Sequence, residues 1–168
     1  MAVLTPSAVV TLVNEWGSAP RAEAGESDQP FPDLATVGWP GAEDSDLVRV
    51  ADLLHPVFAA ASPQDRVRHL DALLVRAGVT VRIGLVDDRV AEEWVPARAA
   101  DGLLVDALHT IRDILGERGA GAIGTCDGQA CVDVWIDRPR GRPRRYCSGT
   151  CSGRARVAAY RRRQRGTA

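Results

Sequence analysis

The chain has 168 residues, of which 45% are apolar and 26% are charged, so it has enough apolar material for a core and is not a disordered chain. Its net charge of −1 conceals a strong asymmetry. Residues 126–168 carry 11 Arg against 3 Asp, a net charge of +8, whereas residues 1–125 carry 10 Arg against 19 acidic residues, a net charge of −9. A basic end on an acidic body favours binding to a polyanion.

The cysteines indicate a metal site rather than disulfides. No apolar run is long enough to cross a membrane, and the first residues lack the basic start and the cleavage site of a signal peptide. We therefore expect a cytoplasmic protein with no membrane partner. Because the cytoplasm keeps thiols reduced, four cysteines close together near one end are expected to bind a metal.

The first third of the chain has the apolar spacing of helices. We expect a helix over residues 6–17 and then a loop over residues 18–44, because this stretch is rich in turn-forming residues. A second helix is expected from Ser45 or Asp46 to about Ala60, with a break or kink at Pro56. Three apolar side chains are expected to order part of the loop: Phe31, Leu34 and Trp39.

The middle of the chain changes from a helical period to alternation. Ser62–Pro63 is a typical helix start and Gly78 a typical helix end. Residues 79–85 alternate between apolar and other side chains and predict a strand, with a turn at Asp87–Asp88 and a partner strand over residues 90–95. The expected apolar side of the helix comprises Val67, Leu70, Leu74 and Ala77.

The third predicted feature is a long helix from Arg98 to about Leu115, followed by a glycine-containing linker. The three histidines of residues 1–120 are isolated from one another, and the region has no nucleophile triad and no phosphate-binding loop, so it carries no catalytic signature. We therefore assign residues 1–120 to one mainly helical domain and expect no enzymatic activity. The helix has Leu104, Leu108, Ile111 and Leu115 on one side, and the glycines are Gly116, Gly119 and Gly121.

The cysteine spacing predicts a second, small domain over residues 121–168. The pattern is Cys126-x4-Cys131-x15-Cys147-x3-Cys151, and two close pairs separated by 15 residues suit a tetrahedral zinc site. So short a segment cannot form a core by itself, so one zinc ion would hold it together. Because four thiolates leave no coordination position open, the zinc is expected to be structural.

Secondary structure around the cysteines is expected to be a hairpin followed by a helix. A strand with alternating Val132, Val134 and Ile136 would turn at Pro139–Pro143 and return over residues 144–146. Asp137 is expected to stabilise this turn, and Trp135 to belong to the small core rather than to stack on a base. Cys151 would lie at the entrance of a helix that runs to about Gln164.

Arginines on this hairpin and helix are the candidate nucleic-acid contacts. Arg pairs bidentately with phosphates and base edges, and a basic loop beside a basic helix suits phosphate contact and groove entry. Val157 and Tyr160 are expected to pack back toward the zinc. The candidate residues are Arg138, Arg140, Arg142, Arg144, Arg145, Arg154, Arg156, Arg161, Arg162, Arg163 and Arg165.

The same segment carries motifs of a known family. Trp135 and Asp137 form an aromatic–x–Asp step, Tyr146–Ser148 form an aromatic–Cys–Ser step, and residues 151–154 read CSGR. This segment resembles the CGNR zinc finger, in which the last motif is Cys-Gly-Asn-Arg; here Ser-Gly replaces the central Gly-Asn. The body is similar, more weakly, to the helical ABATE-like domain that precedes this finger. The resemblance implies a stress-induced transcription regulator that binds DNA.

Together these features predict an α+β, mainly helical chain with a treble-clef-like or ribbon-like zinc module. The leading functional hypothesis is a DNA-binding transcription regulator whose body binds a small-molecule effector or forms a homodimer. An RNA-binding zinc protein is one alternative, because zinc knuckles and Arg-rich helices also bind RNA. The other is a protein-interaction adaptor with a purely structural zinc.

Overall fold

The computed structural model describes residues 4–33, 41–138, 141 and 143–165, and its fold is α+β and mainly helical. Short 3₁₀ turns at Ala99–Asp101 and Ala120–Ala122 precede the fifth helix and the third strand. No helix in the described residues is long and apolar enough to span a membrane. The helices are α1 (Pro6–Trp16), α2 (Ser18–Ala24), α3 (Asp44–Ala59), α4 (Pro63–Ala77), α5 (Gly102–Arg118) and α6 (Gly149–Arg165). The strands are β1 (Thr80–Val86), β2 (Arg89–Val95), β3 (Ile123–Thr125) and β4 (Val134–Ile136).

One hydrophobic core joins the helices to the β3–β4 hairpin. Trp16 of α1, Leu54 of α3 and Leu108 of α5 are completely buried in it. The antiparallel strands β3 and β4 pair Ile123 with Ile136, and both side chains are buried in this core. The strand from which the cysteine segment begins is therefore held by apolar contacts to the body.

Several local predictions are confirmed. Helix α1 ends at Trp16, and α4 begins after Ser62, whose side chain accepts a hydrogen bond from the Asp65 amide. Gly78 ends α4 with a left-handed backbone (φ 59°), as its position predicts. In α4, however, Val67 is 55% exposed while Arg66 is buried, so the predicted apolar side is wrong at this position.

The predicted loop over residues 18–44 is wrong at its start, where α2 forms. Pro20 lies in the first turn of α2, where a missing N–H costs no helical hydrogen bond. Arg21 is buried, donates to the carbonyls of Glu15 and Glu26, and lies 4.4 Å above the Phe31 ring. Phe31 is ordered as predicted, whereas Leu34 and Trp39 lie outside the described residues.

The predicted break at Pro56 is also wrong, because α3 continues to Ala59. Proline removes one helical hydrogen bond, but Val57 and Phe58 beyond it are buried in the core. Their burial favours the uninterrupted helix. The helix begins earlier than predicted, after Glu43, and no side chain caps its start.

The long helix and the first hairpin form with shifted boundaries. β1 and β2 pair antiparallel through the predicted turn, in which both Asp87 (φ 49°) and Asp88 (φ 59°) are left-handed. Helix α5 runs to Arg118, so Gly116 lies within it and Gly119 ends it. Leu104, Leu108 and Ile111 are fully buried as predicted, and Leu115 is partly buried.

The predicted hairpin of the cysteine segment has the wrong partner strand. β4 pairs with β3, while residues 144–146 form no strand. The apolar face of β4 explains this choice, because Val134 and Ile136 are buried against the helices and β3 lies beside them. Residues 144–146 follow as an irregular segment, in which the carbonyl of Arg145 accepts from the Asp127 amide at 2.7 Å.

Candidate metal centre

The four cysteine sulfurs converge on one point. All four Sγ atoms lie within 4.8 Å of one another. The distances from Cys147 Sγ to Cys131 Sγ and to Cys151 Sγ are both 3.7 Å. A tetrahedral zinc with Zn–S bonds of about 2.3 Å requires sulfurs about 3.8 Å apart, whereas a disulfide requires about 2.05 Å. All four residues are free thiols, and their spacing is that of ligands around one ion.

The first cysteine pair is built on the turn that follows β3. Cys126 comes directly after β3, and its amide donates to the Asp133 carbonyl at 2.8 Å. The Gly128 amide points to Cys126 Sγ at 3.3 Å. A Cβ at Gly128 would lie 3.1 Å from that sulfur, so the close approach of this backbone favours glycine. The turn thus directs the Gly128 N–H toward the Cys126 sulfur and brings the backbone close to that sulfur.

The second pair is built on the start of α6. Ser148 Oγ accepts a hydrogen bond from the Cys151 amide at 3.3 Å and so caps the helix. Cys151 lies in the first helical turn, where the exposed N–H groups favour a thiolate. The Cys147 amide reaches Cys126 Sγ at 3.4 Å, which links the second pair to the first.

Burial controls the protonation of the thiols. It raises the pKa of Cys131 to about 12 and raises the pKa of Cys147 as well. For Cys151, desolvation acts in the same direction, but hydrogen bonds with Cys147 and Ser148 outweigh it and lower the pKa. The sulfurs of Cys131 and Cys147 therefore stay protonated at neutral pH unless a cation compensates the negative charge.

The donor set fits one zinc ion. Four sulfur donors within 4.8 Å of one another suit a closed zinc shell, and the donors are Cys126, Cys131, Cys147 and Cys151. Zinc would supply the positive charge that buried thiolates need, and binding would release their protons. The predicted ligand set is thus brought together by the fold.

Residues 123–164 match the family model of the CGNR zinc finger. The chain contains a CGNR zinc-finger segment. The matched range begins at β3 and includes all four cysteines and most of α6. The sequence matches no curated protein.

Side chains of the CGNR finger hold its backbone in shape. Asp137 Oδ1 accepts from the Arg144 amide at 2.8 Å, which confirms its turn-stabilising role. Trp135 is buried, and its indole N–H donates to the Thr125 carbonyl at 2.8 Å, so it belongs to the small core as predicted. Arg118 of α5 donates to the Asp137 carbonyl at 2.9 Å and fixes this region to the body.

The candidate arginines are distributed over the CGNR finger. Arg138 and Arg145 are exposed beside the site, and Arg144 is half-buried. Arg145 forms an ion pair with Asp127 at 2.8 Å. Arg140 and Arg142 lie outside the described residues, as does the side chain of Arg165. The exposed arginines of α6 are Arg154, Arg156, Arg161, Arg162 and Arg163.

The structure corrects one expectation about α6 and adds two positioning residues. Val157 and Tyr160 do not pack back toward the cysteines, because they are 50% and 57% exposed. Asn14 of α1 forms two hydrogen bonds with the Val134 backbone, at 2.7 and 3.1 Å. His55 Nε2 lies 3.0 Å from the Val132 carbonyl. Neither contact has a local sequence signal, because each partner is more than 70 residues away.

Proposed function

We propose that the CGNR zinc finger binds DNA and that the chain is a transcription regulator. The observation that carries the proposal is the group of exposed arginines on α6, the helix that begins at the zinc ligands. Its 17 residues include no acidic side chain. The closed shell of four thiolates leaves no position for a substrate, so we propose that the zinc organises this surface and does not catalyse a reaction.

Four of the exposed arginines of α6 are available to an outside partner. Arg154, Arg156, Arg161 and Arg162 form no ion pair within the described part of the chain. The acidic body of the same molecule therefore does not neutralise them. Unpaired guanidinium groups in water bind phosphate at little cost, because no existing partner must be displaced.

The shape of α6 suits groove entry. A helix of 17 residues is about 25 Å long, and the DNA major groove, about 12 Å wide, admits a helix. Arg154 and Arg161 are seven residues apart, about two helical turns, and so lie on nearly the same side. Arg138 and Arg145 lie on the segment preceding α6, where they would contact the phosphate backbone.

The test compares matched arginine pairs. We expect Arg154→Ala combined with Arg161→Ala to weaken binding of the zinc-loaded protein to duplex DNA at least about tenfold near 0.1 M salt. The control is Arg68→Ala combined with Arg76→Ala, two exposed arginines of α4, which changes the net charge equally. Fluorescence anisotropy measures both affinities. Equal losses for the two pairs would contradict a contact by α6.

Zinc content and nucleic-acid preference complete this test. Both double variants should keep one zinc per chain, since neither removes a ligand. A tighter complex with single strands or RNA hairpins than with duplex DNA would favour the RNA-binding alternative. Binding to neither, together with retained zinc, would favour a protein-interaction adaptor.

A further inference from the structure

The β1–β2 hairpin exposes an apolar strand to solvent. Every residue of β1 is exposed, and Ile83 and Leu85 are 66% and 73% exposed. In contrast, β2 is anchored through buried Trp94, which packs edge-on against His109 of α5. Among the described residues the sheet has only two strands, so the outer edge of β1 is unpaired there.

This edge lacks the features that prevent strand pairing. Soluble proteins protect exposed edges with proline, bulges or several charges. β1 contains no proline, pairs with β2 in an uninterrupted register, and has one charged residue, Arg82. A two-stranded sheet is also marginally stable by itself, whereas further strands increase its stability. These features indicate that another strand covers β1.

The hairpin geometry shows which backbone groups are available. Asp87 and Asp88 form a two-residue turn, so the closing pair Val86–Arg89 is a hydrogen-bonded pair. Pairs alternate along an antiparallel ladder. The N–H and C=O groups of Val81, Ile83 and Leu85 therefore point away from β2. The same three side chains share one face of the strand.

We infer that β1 pairs antiparallel with β1 of a second copy of this chain, with Ile83 on the two-fold axis. In this register Ile83 faces Ile83 of the second copy, and Val81 faces Leu85. All three outward-pointing residues of each strand then pair with one another. A shift of the axis to Arg82 or Gly84 would leave outward-pointing residues without a partner in β1.

The side chains also favour self-pairing in this register. Val81, Ile83 and Leu85 from both copies would form one apolar stripe along the two paired β1 strands. On the same face, β2 contributes Val90 beside Leu85, Glu92 beside Ile83 and Trp94 beside Val81. On the opposite face Arg82 would lie across from Gly84, so no like charges oppose each other. An isologous contact of this kind closes on itself and produces a dimer rather than a filament.

The proposed dimer is tested by substituting Ile83, the residue on the two-fold axis. We expect the zinc-loaded wild-type chain to pass from 18.0 kDa to twice that mass with rising concentration in sedimentation experiments. Ile83→Glu should raise the dissociation constant at least about tenfold, because it places two glutamates opposite each other beside Glu92 of each copy. Ile83→Lys should raise it less, because Glu92 of the same chain lies beside the lysine. Since Ile83 is mostly exposed, neither change should alter the circular dichroism spectrum. Mixing the two variants should restore the dimer, because Lys then faces Glu.

A control variant at another exposed apolar residue and three contrary outcomes complete the test of this register. Val75→Lys adds a charge at an exposed apolar residue of α4 and should leave the dimer unchanged. A wild-type chain that remains at 18.0 kDa would overturn the inference, as would Ile83→Glu that dimerises as tightly as the wild type. A mixture that stays monomeric would overturn the proposed axis. The measurement needs no nucleic acid, so its outcome is independent of the proposed function.

Discussion

Arg66 is a buried cation that holds the end of α3, and we expect Arg66→Met to destabilise the protein. Arg66 is 7% exposed and has no acidic partner in the described residues. Its guanidinium instead donates to the carbonyls of Val57 at 3.0 Å and Phe58 at 3.2 Å, and also to Ala120 before β3. The last carbonyls of a helix lack helical donors, so Arg66 supplies them.

The expected magnitude follows from the acceptors that the substitution leaves behind. The hydrogen bonds to the Val57 and Phe58 carbonyls are buried, and an unpaired buried acceptor costs about 1–3 kcal/mol. The Ala120 carbonyl is only partly buried and is able to bond to water. Removing the charge recovers some desolvation energy, since burial lowers the pKa of Arg66. We therefore expect a loss of about 2–4 kcal/mol in the free energy of unfolding.

Urea unfolding of the zinc-loaded protein, followed by circular dichroism, measures this loss. The matched control is Arg68→Met on the same helix, because the Arg68 side chain is 77% exposed and pairs with Asp65 at the surface. Its effect should stay within about 0.5 kcal/mol. If Arg66→Met also changed the free energy of unfolding by less than about 0.5 kcal/mol, the assigned role of Arg66 would be refuted.

Two further predictions concern the zinc ligands and a buried acid. Cys147→Ser should lower zinc content well below one per chain and reduce the helical signal of α6; full zinc content and unchanged thermal stability would contradict a structural zinc. Burial raises the pKa of Asp106, whose Oδ2 has no hydrogen-bond partner among the described residues. The pKa of Asp106 is therefore higher in the folded than in the unfolded protein. The stability that the protonated carboxyl contributes is lost as the pH rises above about 4. The stability of Asp106→Asn relative to wild type should therefore increase between pH 4 and pH 7 in parallel urea titrations, and a constant difference would disprove this.

Local patterns were sufficient where a structure depends on neighbours in sequence. The period of α1, the Ser62 cap of α4 and the Asp87–Asp88 turn are each defined within a few residues, and all were predicted. The predicted break at Pro56 and the predicted loop over the residues of α2 are wrong, because burial outweighs local preference there. Val57 beyond the proline is buried in the core of the body, and Arg21 is buried by the segment after α2, where it donates to the Glu26 carbonyl and lies over the Phe31 ring.

The metal centre was predictable for a similar reason. Four cysteines in two close pairs restrict the ligand set regardless of the surrounding fold. The partner of β4 was not predictable, because β3 is chosen through contacts of Ile123 and Val134 with the helices of the body. The hydrogen bonds of Asn14 with Val134 span 120 residues of sequence and leave no periodic signal. Spacing thus identifies the ligands, but not the residues that orient the segment.

The central claim is that zinc organises an arginine surface that binds DNA, and one titration tests it most directly. The zinc-loaded full chain is titrated onto labelled duplex DNA at several salt concentrations, and again after chelation of the zinc. If about six phosphates are engaged, log affinity should fall against log salt with a slope of about −5, and chelation should abolish binding. A slope near zero, or equal affinity with and without zinc, would contradict the account.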